Sequence, residues 1–300
     1  MSNTPILFII FNRPAQTKRV FESIKKAKPK EFYIAADGPR INNKNDTINC
    51  KLSREVVKNI DWDCNVHYLF RDKNLGCKLA VTSAINWFFK NIEEGIILED
   101  DCLPNESFFN FSSLLLEKYR NDNEIMHIGG ANFQSKKLDC NESYYFSRIT
   151  HIWGWATWRR AWEKYDILMN DFTSKKLKNI FIDYKFNLSS FSYFFNAFSK
   201  VKKNKIDTWD YQWTYTVWKE NGLAIIPVEN LVSNIGFDSN STHTVEGGGI
   251  YGNLKTKKIE NIIHPLTKII NLSADAYTFN KWYIKRSILK RILDLIYKIN

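Results

Sequence analysis

The sequence holds only five cysteines in 300 residues (Cys50, Cys64, Cys77, Cys102 and Cys140), an odd number with no CxxC pair among them. That excludes a disulfide framework and a cysteine-rich zinc site, and it leaves five reduced thiols of a reducing compartment. Long apolar runs are missing as well. The strongest stretches, such as Ile6 to Phe11, fall far short of the ~20 residues that a membrane-crossing helix needs. Met1-Ser2-Asn3-Thr4 carries neither a basic leader nor a small-residue cleavage site, so no signal peptide is expected and a cytoplasmic location is. Internal repeats and long linkers are absent. Hydrophobic residues at 44% and charged residues at 25% exclude a disordered or fibrous chain. A chain of this length and composition can bury a sizeable core in one or two domains. Aromatic residues reach 15%, with 10 Trp, enough for stacking surfaces as well as core.

The formal net charge of +11 is unevenly placed. Residues 255–300 carry ten Lys/Arg against three Asp/Glu, and residues 173–205 carry eight Lys against one Asp. These two segments hold more than the whole excess, and the rest of the chain is slightly acidic. A nucleic-acid enzyme would line its main cleft with cations. Two basic, aromatic-rich segments fit contact with an anionic membrane surface better, and no nucleic-acid partner is expected. Two solvated helical faces are the plainer alternative.

Pro5 to Phe11 reads as a buried strand, because it is a short apolar run without helical gaps. Helical spacing follows over 15–27, a strand over 32–36, a turn at Asp37-Gly38-Pro39, and a helix over 53–60. An extended run over 66–70, a helix over 79–89 and a short buried strand at 96–98 continue the alternation. This order predicts an α/β fold with a mostly parallel sheet and helices on both faces. Ligands of such sheets bind beyond the carboxyl ends of the strands, where Asn12-Arg13, Asp37 and Glu99-Asp100-Asp101 all fall. Further on, the pattern predicts a helix (108–120), a strand (125–128), an aromatic loop (144–158), a short helix (159–165), a helix near 210–220 and a strand (224–228). The expected division is a catalytic domain over 1–254, interrupted by the basic insertion 173–205, and a basic helical tail over 255–300.

Three consecutive acids directly after an apolar strand repel one another unless a cation or donors compensate. Glu99-Asp100-Asp101 therefore reads as a divalent-metal site of hard oxygen ligands, completed by water and substrate phosphate. Structural alternatives stand beside the other candidates: a helix cap for Asn12, a turn residue for Asp37, a surface ion pair for Lys78. His67 and His127 lie in strand-like runs as structural residues, whereas His243 sits between Thr242 and Thr244 in a polar loop. Trp153-Gly154-Trp155 with Trp158 offers aromatic faces for sugar rings, with core packing as the alternative.

Taken in order, Phe11-Asn12-Arg13-Pro14, Ala36-Asp37-Gly38, Arg71 to Lys78, Ile97 to Pro104, Trp153 to Trp158, Thr208-Trp209-Asp210 and Thr242-His243-Thr244 resemble the metal-dependent nucleotide-sugar glycosyltransferases of the A-type (GT-A) fold. The pattern is nearest to β-1,2-N-acetylglucosaminyltransferases and bacterial surface-polysaccharide transferases, over about residues 4–245. The resemblance implies a Rossmann-like sheet and a nucleotide diphosphate sugar donor, a UDP-sugar favoured, with a hexosyl or N-acetylhexosaminyl group moved to a glycan or lipid-linked acceptor, with inversion. It implies that Asp101 holds Mn²⁺ or Mg²⁺, that Glu99 and Asp100 meet the donor, and that Asp37 accepts N3–H of the base. Arg13 and Asn12 would lie against the nucleotide, Asn74 and Lys78 would close its pocket, and His243 would ligate the metal or touch the diphosphate. Trp153, Gly154 and Trp155 would bind the acceptor. Asp210 would be the base; the family motif has two adjacent acids where this chain has Asp210-Tyr211, which leaves the equivalent position open, and Asp207 nearby is the other candidate. A sugar-phosphate nucleotidyltransferase is the second reading, although Phe11 to Ala15 lacks the glycine-rich loop of that class. A non-enzymatic membrane- or nucleic-acid-binding adaptor is the third, and it leaves the acidic triplet without a purpose.

Overall fold

The computed structural model describes residues 4–134, 138, 140–184, 188–237 and 254–284. The first half of the chain builds one continuous layer. Strands β1 (Ile6–Ile10), β2 (Glu31–Ala36), β3 (Asn65–Phe70) and β4 (Glu94–Glu99) pair in parallel in the order β3-β2-β1-β4. All five residues of β1 are buried, as a strand covered on both faces requires. Helix α1 (Pro14–Ala27) has proline in its first turn and turns Val20, Phe21 and Ile24 inward. Helix α3 (Gly76–Asn91) covers the opposite face with Val81, Ala84, Ile85 and Phe88.

Helix α2 spans Lys44–Val56, upstream of the helix expected at 53–60. Its start is set by Asn43, whose side chain accepts from the Asp46 amide. Ile48 and Leu52 face outward, so the apolar spacing that would have marked the helix is missing.

The second half is mixed. Strands β6 (Ile125–Gly129), β7 (Tyr144–Ser147), β8 (Trp155–Trp158) and β9 (Leu223–Pro227) extend the sheet to eight strands, β3-β2-β1-β4-β8-β6-β9-β7. The segment expected as an aromatic loop over 144–158 thus contains two strands, and β8 inserts antiparallel between β4 and β6. A separate two-stranded ribbon joins β5 (Cys102–Pro104) to β10 (Val232–Asn234). Helices α4 (Glu106–Lys118), α5 (Arg159–Trp162) and α8 (Asp210–Lys219) complete the layers.

The basic insertion forms α6 (Ser174–Asp183) and α7 (Leu188–Lys202). Together with α8 and the C-terminal π-helical turn Phe279–Ile284, it encloses an aromatic core of its own that includes Phe181, Phe194, Phe198, Trp218 and Phe279. Of the expected helical tail, residues 254–271 are irregular and lie on the body: Ser143 donates its amide to the Ile263 carbonyl and Asn271 donates its amide to the Phe146 carbonyl. Helix α9 (Leu272–Thr278) follows, and residues 285–300 lie outside the described residues. Among the described residues no helix is long and apolar enough to cross a membrane.

Candidate active site

In the order β3-β2-β1-β4 the chain reverses its direction of winding between β1 and β4, so the loops leaving these two strands separate and open a crevice at their carboxyl ends. Arg13 leaves β1 there and Asp100 and Asp101 leave β4. The Arg13 guanidinium donates from Nη1 to Asp100 Oδ1 at 3.1 Å and to Asp101 Oδ2 at 2.7 Å. The Phe11 amide donates to the other Asp100 oxygen at 3.0 Å. Burial opposes the Arg13 charge, but Asp100 and Asp101 hold its pKa above the ordinary value. Glu99, the last residue of β4, is pushed up to about 8 by burial and then by the neighbouring Asp101 and Asp100 charges. Asp100 is pushed up to about 6 by burial, with Arg13 pulling it back.

The three acids do not converge as a ligand set. Among the described residues no group of three or more His, Cys, Asp or Glu side chains is placed to hold a metal ion. Glu99 ends a strand, while Asp100 and Asp101 are both turned to Arg13. Asp101, 18% exposed against 8% for Asp100, is the carboxylate with access to the crevice. It is braced from below by the Ile235 amide, which donates to its carbonyl at 2.8 Å, and by Gly236, where any Cβ would strike Oδ2. This excess of carboxylate oxygen over cation fits a hard divalent ion held by one or two carboxylates plus phosphate. His243 lies outside the described residues.

Asp37, beyond β2, is buried and its carboxylate is already occupied by protein donors. It accepts from the Gly38 amide (2.9 Å), Asn74 Nδ2 (2.9 Å) and the Leu75 amide (3.1 Å). Burial raises its pKa against these hydrogen bonds. Asn74 also donates to the Gly38 carbonyl, so Asp37 and Asn74 form one clamp that shapes the 74–76 turn. Asn12 is turned to Asp46 Oδ1 (2.7 Å), which Arg40 also holds, and it caps no helix. Lys78 donates from Nζ to Asn204 Oδ1 at 2.6 Å.

Asp210 opens α8 and accepts from the Thr208 hydroxyl. Asp207 accepts from the amides of Cys77 and Lys78 at the start of α3. Cys77 lies among carboxylates: burial, then Glu99, Asp210, Asp207 and Asp101, drive its thiol pKa far up, which leaves it protonated and inert. The acids of β4 and those of the 207–210 loop therefore lie close together around Cys77 at the start of α3.

No family model and no curated protein matches the chain. Among solved structures it is similar to GalNAc-T7 crystallised with UDP, GalNAc and Mn²⁺, at 12% identity over 76% of this chain and 43% of that one, with a TM-score of 0.43. It is also similar to the galactosyltransferase LgtC in complex with donor and acceptor sugar analogues (13% identity, 73% and 72% coverage, TM-score 0.37). A third is apo UDP-glucose pyrophosphorylase (10% identity, 75% and 89% coverage, TM-score 0.40). What the crevice does is decided by its own residues.

The tryptophan expectation needs correcting. Trp155 is 1% exposed and packs between Trp209 (ring centroids 5.5 Å), Trp213 (5.5 Å) and His127 (5.2 Å), so it has no face for a sugar. Gly154 adopts φ +62°, and a Cβ there would crowd Val232 and Leu98; its role is close packing. Trp153 alone of the three is half-buried, edge-on to Phe133 and Phe237. His127 and His151 are buried and pushed down to about 3 by desolvation. Trp213 Nε1 donates to His127 Nδ1, so His127 Nε2 carries the proton given to the His151 carbonyl. Sequence reasoning passed over Gly236 and Arg54, whose Nη2 holds the carbonyls of Asp37 and Arg71. Neither residue bears a local signal, because each acts on a loop distant in sequence.

Proposed function

We propose that the chain is a glycosyltransferase that moves a hexosyl or N-acetylhexosaminyl group from a nucleotide diphosphate donor, a UDP-sugar favoured, to an acceptor hydroxyl with inversion. The observation that carries this reading is the crevice between β1 and β4, where Arg13 joins Asp100 and Asp101, with Asp210 near enough for its charge to act on Glu99. Arg13 supports the donor phosphates, for which a guanidinium is well shaped. Asp101 would hold Mn²⁺ or Mg²⁺ together with the diphosphate, with His243 as a further ligand or a diphosphate contact. Bound there, the cation neutralises charge on the departing diphosphate. Asp100, and Glu99 behind it, meet ribose or sugar hydroxyls. Asp37 and Asn74 shape the pocket of the base, and Lys78 borders it. Asp210 takes the proton of the acceptor hydroxyl, and Trp153 is the aromatic residue left to contact a sugar.

The acceptor is a glycan or lipid-linked glycan of surface-polysaccharide synthesis, met on the cytoplasmic face of an anionic membrane. In support, the basic insertion packs on the 279–284 turn that leads toward the basic end of the chain: Tyr193 and Phe194 of α7 lie 5.4 Å from Tyr283, and Phe194 lies 5.5 Å from Phe279.

Thermal stabilisation by nucleotides with and without Mn²⁺ tests the reading. A nucleoside diphosphate that stabilises only with Mn²⁺ is the expected result. Stabilisation by a nucleoside triphosphate alone would favour nucleotidyl transfer, and by neither a binding protein. Asp210→Asn should keep donor binding and lose ~100-fold or more in turnover, the scale of general-base catalysis. Asp101→Asn should abolish metal-dependent turnover with the fold intact.

A further inference from the structure

We propose that Asp207 is a positioning residue that ties the donor side of the crevice to its acceptor side; this deepens, and rests on, the glycosyl-transfer reading above. Helix α3 starts without a cap of its own, since Leu75 at its N-cap offers no side-chain acceptor. The first-turn amides need one. Asp207 supplies it from 130 residues away, with Oδ2 2.9 Å from the Cys77 nitrogen and Oδ1 3.1 Å from that of Lys78. A negative group is also favoured at this end of a helix. The fit is close: Gly76 has φ +78°, and a Cβ there would stand 2.7 Å from Asp207 Oδ2. A second strap runs beside it, from Lys78 Nζ to Asn204 Oδ1.

The position of this cap gives it more than a helix-ending role. The 74–78 turn is held on its inner side by Asp37, through Asn74 and the Leu75 amide, and on its outer side by Asp207. Asp207 belongs to the loop that enters α8 three residues later at Asp210. That loop is stiff between the two acids. Trp209 is buried and stacked on Trp155, Tyr165 Oη donates to the Trp209 carbonyl at 3.1 Å, and Gln212 Nε2 donates to the Thr208 carbonyl at 2.7 Å. A cap taken from residues flanking α3 would satisfy the same amides. Taken from 207, it fixes the distance between the turn that shapes the base pocket and the carboxylate proposed as base. Asp207 is therefore not the alternative base, because both of its oxygens are committed to α3.

Hydrogen exchange on the full chain, read by mass spectrometry, tests this with Asp207→Ala and Asp207→Asn. Without ligand, exchange over 75–80 should rise about tenfold in the alanine variant, the size of a lost cap, and less in the asparagine variant, which keeps an acceptor. With UDP and Mn²⁺, the wild type should be protected over both 74–80 and 204–212, and Asp207→Ala over 74–80 alone. In turnover the alanine variant should raise the donor KM and lower kcat, with Asp207→Asn restoring part of both. Protection of 204–212 retained in Asp207→Ala overturns the inference, as does a lower melting temperature with kcat and KM unchanged. A wild type that UDP fails to protect anywhere sinks the glycosyl-transfer reading. The ligand-free exchange over 75–80 then decides the tie by itself: an unchanged rate in the alanine variant overturns it.

Discussion

Replacing Arg13 by Met removes the guanidinium that two carboxylates share and leaves both next to Glu99 without it. The side chains of Arg13 and Asp100 are 17% and 8% exposed, so solvent screens them little. Breaking a buried pair from one side costs about 3–5 kcal/mol. Asp101 is partly exposed and accepts some water in place of the lost donor, which puts the expected loss near the lower end, about 3 kcal/mol. For a chain of this length the unfolding entropy is about 0.6 kcal/mol/K, so the melting temperature should fall by about 5 °C. The assay is thermal unfolding in EDTA and again in Mn²⁺. The deficit should shrink in Mn²⁺, because the cation takes the place of the missing charge. Adding Asp100→Asn to Arg13→Met should recover part of the loss, since one of the stranded carboxylates is gone. A variant that melts within about 1 °C of the wild type in EDTA would show that the pair is already solvated, and the account of the crevice as a buried like-charge cluster would fail.

Trp155→Ala should cost about 4 kcal/mol, the scale for a buried aromatic, while Trp153→Ala should cost less than half of that and act on acceptor KM; equal losses in denaturant melts would contradict their assigned places. Asp275, pushed up to about 6 by burial against hydrogen bonds from Ser147 and the Arg148 amide, holds its proton more tightly folded than unfolded. Its stabilising share is complete only well below pH 3.8 and is lost as pH rises through 6, so Asp275→Asn should gain on the wild type by about 2 kcal/mol between pH 4 and pH 7; a constant difference would refute the burial argument. Ending the chain at 284, which keeps Phe279 in its aromatic core, should release the protein from anionic vesicles at about 1 kcal/mol for each near-surface cation removed; undiminished vesicle binding would place the membrane contact elsewhere.

The parallel half of the sheet was legible because each strand is a short apolar run closed by a turn signal, and the functional candidates fell at one end of all of them. Periodicity failed where burial is two-sided or inverted. Tyr144 to Ser147 and Trp155 to Trp158 are wholly buried, so they show no alternation, and in α2 the apolar Ile48 and Leu52 face solvent. The candidate residues of the crevice were legible as types and positions, but their partners were not. Arg13 meets Asp101 across 88 positions and Asp207 meets Cys77 across 130, and a local pattern carries no trace of such pairings. The same holds for Trp155: sequence marks it as aromatic beside a glycine, and only the insertion of β8 between β4 and β6 shows that its ring is enclosed.

The crevice is an arrangement that stability alone would not retain. Glu99, Asp100 and Asp101 follow one another at the end of a buried strand, and Arg13 pairs with the last two of them. Burial and mutual repulsion raise the proton affinity of Glu99 to about 8 and of Asp100 to about 6, each an unfavourable charge kept in place by the fold. The consequence is a division of labour among residues that look alike in the sequence. Burial and the neighbouring acids make Glu99 the hardest of the three to ionise, whereas Asp101, more exposed and braced by Gly236, is the carboxylate with access to the crevice. An apolar residue at Glu99, Asp100 or Asp101 would relieve repulsion, so folding alone does not call for these three acids at the switch point of the sheet; the proposed cation and phosphate would account for them.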